Sequence, residues 1–218
     1  IAQNKGRMTM WAVKALLADI YLWQEEYEKC NRKCDEIIGS GQFLLVPVES
    51  RKIEVENTEE GTTDIYYAPD QSSYYSLFQQ IYYQGNSMES IFELQFATDN
   101  LNPFYSLMSS GRGVIGVKTE RVNSDIFPPL ADEAYSGECF DIRSVISQSK
   151  SCLWKYIGVE PNGSERAQEE YTNNFIIYRL AEIYLMKAEA LTQMAILDSD
   201  NQELLKEAYA AVKVIRDR

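Results

Sequence analysis

The sequence predicts a mainly α-helical chain in which tetratricopeptide-like helix pairs repeat and bracket a large irregular insertion containing a few short strands. Two observations predict this. The phrase Leu17-Ala18-Asp19-Ile20-Tyr21-Leu22 returns as Leu180-Ala181-Glu182-Ile183-Tyr184-Leu185. Each copy is followed by a second helical stretch whose apolar residues step by three, four and three: Tyr27, Cys30, Cys34 and Ile37 after the first, Leu205, Ala208, Val212 and Ile215 after the second. Each set forms one stripe on a 3.6-residue period. A repeated helix pair cannot bury its apolar face alone and must stack on its neighbours.

The first pair takes helices over about Met8 to Trp23 and Glu25 to Gly39, joined at Gln24-Glu25-Glu26 and ended by Gly39-Ser40-Gly41. Small residues stand where two helices approach closely, Ala15 and Ala18 against Cys30, then Ala181 and Ala188 against Ala208. In the second pair the spacing from Ala181 to Ala208 is longer. The excess falls in Thr192 to Glu203, read as an inserted loop ending in a helix N-cap at Asp198-Ser199-Asp200-Asn201. Tyr21, Tyr27, Tyr184 and Tyr209 read as packing residues of the pairs. Trp11 lies on the apolar face of the first helix and Trp23 at its end.

Between the pairs, Glu49 to Asp64 is polar and acidic and reads as an exposed excursion, and Tyr74 to Tyr83 as a short helix. Ser90-Ile91-Phe92-Glu93-Leu94-Gln95-Phe96 alternates with period two, which predicts a strand. Phe104 to Ser151 keeps no period, Pro128-Pro129 breaks any regular element, and short helical turns are expected near Ser124 to Ala134. Leu153 to Ile157 alternates again, placing Trp154 in a strand, and polar Pro161 to Thr172 leads to a helix starting near Phe175. The expected organisation is one domain fragment: a first pair over 1–41, an insertion over 42–174 and a second pair over 175–218.

Composition is that of an ordinary globular chain, 45% hydrophobic and 25% charged. A net charge of −12 argues against nucleic acid, whose phosphates need clustered Lys and Arg. No apolar run reaches membrane-spanning length. The chain opens at Ile1 and stops at Arg218 within helical sequence, and reads as a piece of a longer protein. Cys30 and Cys34, one helical turn apart, read as small core residues, while Cys139 and Cys152 flank a loop and could pair.

There is no histidine, which removes the usual proton shuttle and the commonest metal ligand; neither a metal nor a cofactor is expected. Gly111-Arg112-Gly113-Val114-Ile115-Gly116 satisfies a dinucleotide-binding string but lacks the strand before it and the helix after it, so a loop is expected. Asn162-Gly163-Ser164 reads as a turn. Carboxylate pairs leave glycoside hydrolysis conceivable. The aromatic residues point to binding. The 15 Tyr outnumber the 8 Phe and cluster as Tyr66-Tyr67, Tyr74-Tyr75, Tyr82-Tyr83 and Phe104-Tyr105, largely outside the repeat helices. A pyranose offers an apolar CH face and a fringe of hydroxyls, so flat rings beside amides and carboxylates suit it. The candidate ligand-binding residues are therefore Asp99, Asn100, Asn102, Phe104 and Tyr105 in one loop, with Tyr67, Tyr74 and Tyr75; no catalytic residue is assigned.

The ordered phrases Ala15 to Leu22 with Tyr27-Glu28-Lys29-Cys30, Glu89 to Leu94, Phe140-Asp141-Ile142-Arg143, Tyr178 to Ala190 and Val214 to Arg218 resemble the SusD/RagB family of outer-membrane glycan-binding lipoproteins. The resemblance covers most of the chain. It implies a SusD-like fold and a noncatalytic, surface-exposed lipoprotein of the outer membrane in Bacteroidetes that captures oligosaccharides for a SusC-like TonB-dependent transporter. Contact with the membrane would be through a lipid anchor that this sequence does not contain. Family ligand residues vary, so none is carried over. Against this stand a protein-interaction scaffold or a peptide-binding subunit of such an importer, with no sugar ligand.

Overall fold

The structure is a computed structural model. It describes residues 5–48, 50–57, 61–69, 76–109, 115–116, 148–149, 152–158, 160, 164–199 and 201–216, without the side chains of 50–57, 62, 64–69, 148–149, 152–154 and 157. In chain order the elements are α1 (Met10–Trp23), α2 (Tyr27–Ile38), β1 (Ser50–Asn57), β2 (Thr62–Pro69), a π-helical turn (Gln79–Tyr83), β3 (Ser90–Leu94), α3 (Tyr105–Met108), β4 (Gln148–Ser149), β5 (Cys152–Leu153), α4 (Trp154–Ile157), a 3₁₀ turn (Gln168–Glu170), β6 (Phe175–Arg179), α5 (Leu180–Leu197) and α6 (Gln202–Arg216). The chain is mainly α with a few short strands, as the sequence predicts. It divides into two compact units: Ile1–Val46, Gly85–Gln95 and Asn174–Arg218 form the first, Pro47–Gln84 and Phe96–Asn173 the second.

In the first unit the helices stack in the order α1, α2, α5, α6, each packed on the next. Small residues allow the close approach. Ala15, Ala18, Cys30 and Cys34 are all fully buried, together with Ile37, Ile183 and Ala190 in one core cluster. Each fully buried Ile side chain contributes about 1.5–3 kcal/mol relative to an exposed one. The cysteines are free thiols, as expected of core fillers. Trp11 stands edge-on to Phe43, ring centroids 6.2 Å apart, and Tyr21, Tyr27 and Tyr184 pack partly buried against the cluster. Tyr209 departs from expectation at 56% exposure, because the buried stripe of α6 runs through Ala208 and Ala211 and leaves Tyr209 and Val212 outside it.

The longer second pair is accommodated by helix rather than loop. α5 runs on to Leu197, and only Asp198 to Asn201 turns the chain. Asn201 Oδ1 accepts hydrogen bonds from Glu203 N at 3.0 Å and Leu204 N at 3.4 Å, the N-cap read from the sequence.

The helix expected from Phe175 begins at Leu180, since Phe175–Arg179 pairs antiparallel with β3 as strand β6. Interruptions in register between Ser90 and Glu93 break the alternation expected of β3, and Glu93 turns inward. Its carboxylate, fully buried, accepts from Asn86 N at 2.9 Å and Asn174 Nδ2 at 2.7 Å. Glu89, equally buried, accepts from Val46 N at 2.9 Å and from Arg179 Nη1 at 3.0 Å. Both are thereby hydrogen-bonded, as buried carboxylates must be. Lys5 donates to the carbonyl of Ser87, and burial lowers its ammonium below the usual lysine range, with Glu93 opposing the shift.

In the second unit, the excursion expected over Glu49 to Asp64 is instead half of an antiparallel hairpin, β1 with β2, in register from Ser50 opposite Pro69 to Asn57 opposite Thr62. Gly61 has φ +63, the left-handed region glycine favours. The helix expected over Tyr74 to Tyr83 is described from Ser76 and becomes π-helical at Gln79. Trp154–Ile157, expected as strand, is a helical turn following the two-residue β5. Residues 124–134, Pro128-Pro129, Cys139, Gly111 to Val114 and Asn162-Gly163 lie outside the described residues. Among the described residues no helix is long and apolar enough to cross a membrane.

Candidate functional site

The candidate loop begins with a tight reversal. Ala97 N donates to Asn100 O at 3.1 Å and Asn100 N to Ala97 O at 2.9 Å, so Thr98 and Asp99 form an exposed tip. Asp99 and Asn100 both face solvent, where a carboxylate and an amide can meet ligand hydroxyls.

Asn102, expected to face a ligand with them, is only 2% exposed and both ends of its amide are engaged. Its Oδ1 accepts from Phe104 N at 2.9 Å, its Nδ2 donates to Asn173 O at 2.8 Å, and its backbone N donates to Tyr171 O at 2.9 Å. A short amide bonding the backbone two residues on is a turn device, and here it also ties the loop to a distant segment. Asn102 is thus a support of the loop rather than its outward face.

The turn fixed by Asn102 delivers Phe104 and Tyr105, both half-buried, at the start of α3. Tyr105 packs against Tyr171 with ring centroids 4.9 Å apart and planes at 70°, a favoured edge-on geometry. Tyr171 is fully buried and its hydroxyl donates to the carbonyl of Tyr156, which also accepts from Asn173 Nδ2 at 2.6 Å. Burial, foremost, pushes the Tyr171 phenol well above the usual range, so it remains a donor at neutral pH.

A second aromatic support stands in the same unit. The Arg166 guanidinium lies 3.8 Å from the centroid of the Tyr83 ring, donates through Nη2 to Tyr83 O at 2.8 Å and through Nη1 to Thr172 Oγ1 at 3.3 Å. Tyr83 donates its hydroxyl to Glu160 Oε2 at 2.9 Å, and burial, followed by that carboxylate, raises its phenol. Gly158, at φ +69, passes both side chains at ordinary contact distance. Among the described residues, Arg166 Nε and Asn173 Oδ1 are buried without a hydrogen-bond partner.

Of the eight residues the sequence singles out, Asp99, Asn100, Asn102, Phe104 and Tyr105 are brought together by this loop. Tyr67 lies on β2 opposite Lys52 with its side chain outside the described residues, and Tyr74 and Tyr75 lie outside them altogether. The reading missed Tyr171, Asn173, Arg166 and Glu160, all in a polar segment with no period to mark them. Tyr83 stood in a cluster already visible. Among the described residues no group of acidic or cysteine side chains could hold a metal ion. The arrangement offers ring surface, amide and carboxylate groups.

Comparison with known proteins agrees with the resemblance in the sequence. Residues 146–218 match the SusD family. Over 99% of its length the chain superposes on a SusD superfamily protein from Bacteroides thetaiotaomicron with a TM-score of 0.52 and 22% identity, covering 42% of that protein. Over its whole length it superposes on a SusD-like protein from Bacteroides fragilis with a TM-score of 0.57 and 18% identity, covering 48% of it. The chain therefore has a SusD-like fold and spans less than half the length of these structures. No protein of curated function matches it.

Proposed function

We propose that this chain binds oligosaccharide without cleaving it, at the outer-membrane surface, and takes part in passing the sugar to a SusC-like TonB-dependent transporter. The SusD-family match and the SusD-like fold support this reading. The observation that carries it is the loop itself, in which exposed Asp99 and Asn100 are followed within one short segment by the half-buried rings of Phe104 and Tyr105. Rings take the CH face of a pyranose while the carboxylate and amide take its hydroxyls. Asn102 sets the loop, and Tyr67, Tyr74 and Tyr75 are proposed as further ligand contacts. In this reading the Asp99 carboxylate accepts hydrogen bonds from sugar hydroxyls and does no chemistry on the glycosidic bond.

Calorimetry against a panel of polysaccharides, with reducing ends assayed in the same samples, tests this reading. Binding of one glycan without release of reducing sugar is the expected result. Release of reducing sugar would make the chain a hydrolase, and silence across the panel would favour a scaffold or peptide-binding role.

A further inference from the structure

Three consecutive residues hold the candidate loop from outside it. Tyr171 O accepts from Asn102 N at 2.9 Å and Asn173 O from Asn102 Nδ2 at 2.8 Å, so the two anchors of the loop's turn flank Thr172. The ring of Tyr171 also braces that of Tyr105. The side chains of Tyr171 and Asn173 both donate to the Tyr156 carbonyl, whereas Thr172 turns to Arg166. Wherever this tripeptide is placed, Asn102 and Tyr105 follow.

Arg166 ties the tripeptide to a third segment. Its Nη2 donates to Tyr83 O at 2.8 Å and its Nη1 to Thr172 Oγ1 at 3.3 Å. Tyr83 closes the π-helical turn, in which Gln84 N bonds back to Gln79 O at 2.8 Å. The last carbonyls of a helix have no partner within it, and that of Tyr83 is taken by Arg166. Such π-helical turns are rare and gather at functional sites. Stacking on the Tyr83 ring, 3.8 Å from its centroid, fixes the guanidinium, and the rigid fork then fixes the directions of its two donors. For stability alone the arrangement is a poor one. Arg166 is only 4% exposed, these two acceptors are neutral, and Nε has no hydrogen-bond partner among the described residues. A buried charge met only in part costs more than an apolar side chain of the same size. What the guanidinium supplies, and an apolar filler cannot, is a set spacing between Tyr83 and Thr172.

We propose that Arg166 is the positioning residue of the candidate loop: by spanning Tyr83 O and Thr172 Oγ1 it sets the Tyr171–Asn173 segment, and through that segment the turn at Asn102 and the ring of Tyr105. Its effect on affinity rests on the reading of that loop as an oligosaccharide site; its effect on the loop's geometry does not.

Amide hydrogen exchange of the whole chain tests the geometry without any ligand. Arg166→Lys keeps a cation beside the Tyr83 ring, but one ammonium cannot span both acceptors. Thr172→Val removes one acceptor at similar size and serves should the lysine variant not fold. Asn102 N and Phe104 N, which donate to Tyr171 O and Asn102 Oδ1, are expected to exchange about tenfold faster in Arg166→Lys, the loss of one hydrogen bond from a charged donor, and less so in Thr172→Val. The β1–β2 hairpin of the same unit should exchange as in the wild type. Unchanged exchange at Asn102 and Phe104 would overturn the proposal, and so would a rise shared equally by the hairpin, which would make Arg166 a general stabiliser. Calorimetry with the panel polysaccharide that the wild type binds should show about tenfold weaker binding in Arg166→Lys. Equal affinity despite faster exchange would overturn the positioning role in binding. If replacing Phe104 and Tyr105 by Ala leaves affinity undiminished, the oligosaccharide reading of the loop fails, and exchange alone decides whether Arg166 positions it.

Discussion

Tyr105 is braced by Tyr171, ring centroids 4.9 Å apart and planes at 70°, so one half-buried ring of the candidate loop rests on a fully buried residue. Position and accessibility are divided between the two rings, and the division makes the loop's contribution separable from the stability of its support.

Replacing Phe104 and Tyr105 together by Ala should lower affinity for a bound oligosaccharide about tenfold or more, since one aromatic contact is worth about 1 kcal/mol. The thermal midpoint should move little, both rings being only half-buried. Calorimetry and a melt on the same sample check this; undiminished affinity would remove the loop from the site.

Asn102→Ala should behave in the opposite way. It leaves Phe104 N and Asn173 O without their side-chain partner and should cost about 2–3 kcal/mol of stability. Asn102→Asp keeps the acceptor but loses the donor, and should fall between the two. Urea midpoints measure both, and equal stability for all three chains would contradict the supporting role.

Gly85→Ala should destabilise the first unit more than Gly41→Ala. Both glycines have positive φ, +67 and +63. A Cβ at Gly85 would stand 2.6 Å from Asn174 Nδ2 and 3.2 Å from Glu93 Oε2, against nothing within 4 Å at Gly41. Backbone strain alone costs about 1–2 kcal/mol at either position. The excess at Gly85 reports disruption of the Glu93–Asn174 bond, and parallel denaturation curves would read it out.

The phenols of Tyr171 and Tyr178 are raised by burial first, that of Tyr178 also by its hydrogen bond to Asp19. Their pKa is higher folded than unfolded. The stability this confers is present below the ordinary tyrosine range and is lost as pH climbs through the folded values. Absorbance titration of tyrosinate should show a late group whose ionisation coincides with loss of helix signal. A single phase at the ordinary range would rule this out.

The helix pairs were legible because their periodicity is carried by side chains that pack within the same layer: Cys30, Cys34 and Ile37 are buried as the spacing requires. Phe175–Arg179 misled because strand pairing with Ser90–Leu94 outweighs the helical sequence that follows it. The hairpin of β1 and β2 hid in a stretch whose acidic and polar residues masked its strands, and main-chain pairing in register defines the element. In the candidate loop, aromatic clustering marked Phe104 and Tyr105, and polar composition marked Asp99 and Asn100. Composition could not tell that Asn102 points inward, because a buried amide and an exposed one read alike until Asn173 is found beside it. Arg166 and Tyr171 were invisible for the same reason, their partners being distant in sequence.

Cys30 and Cys34 lie sealed where α1, α2 and α5 meet, and the hydrogen bond that Cys34 donates to Cys30, then burial, pushes the Cys34 thiol up. A thiol reagent can reach them only while those layers are parted. In a chain with Cys139 and Cys152 replaced by Ser, the labelling rate becomes a clock for how often the helical frame breathes.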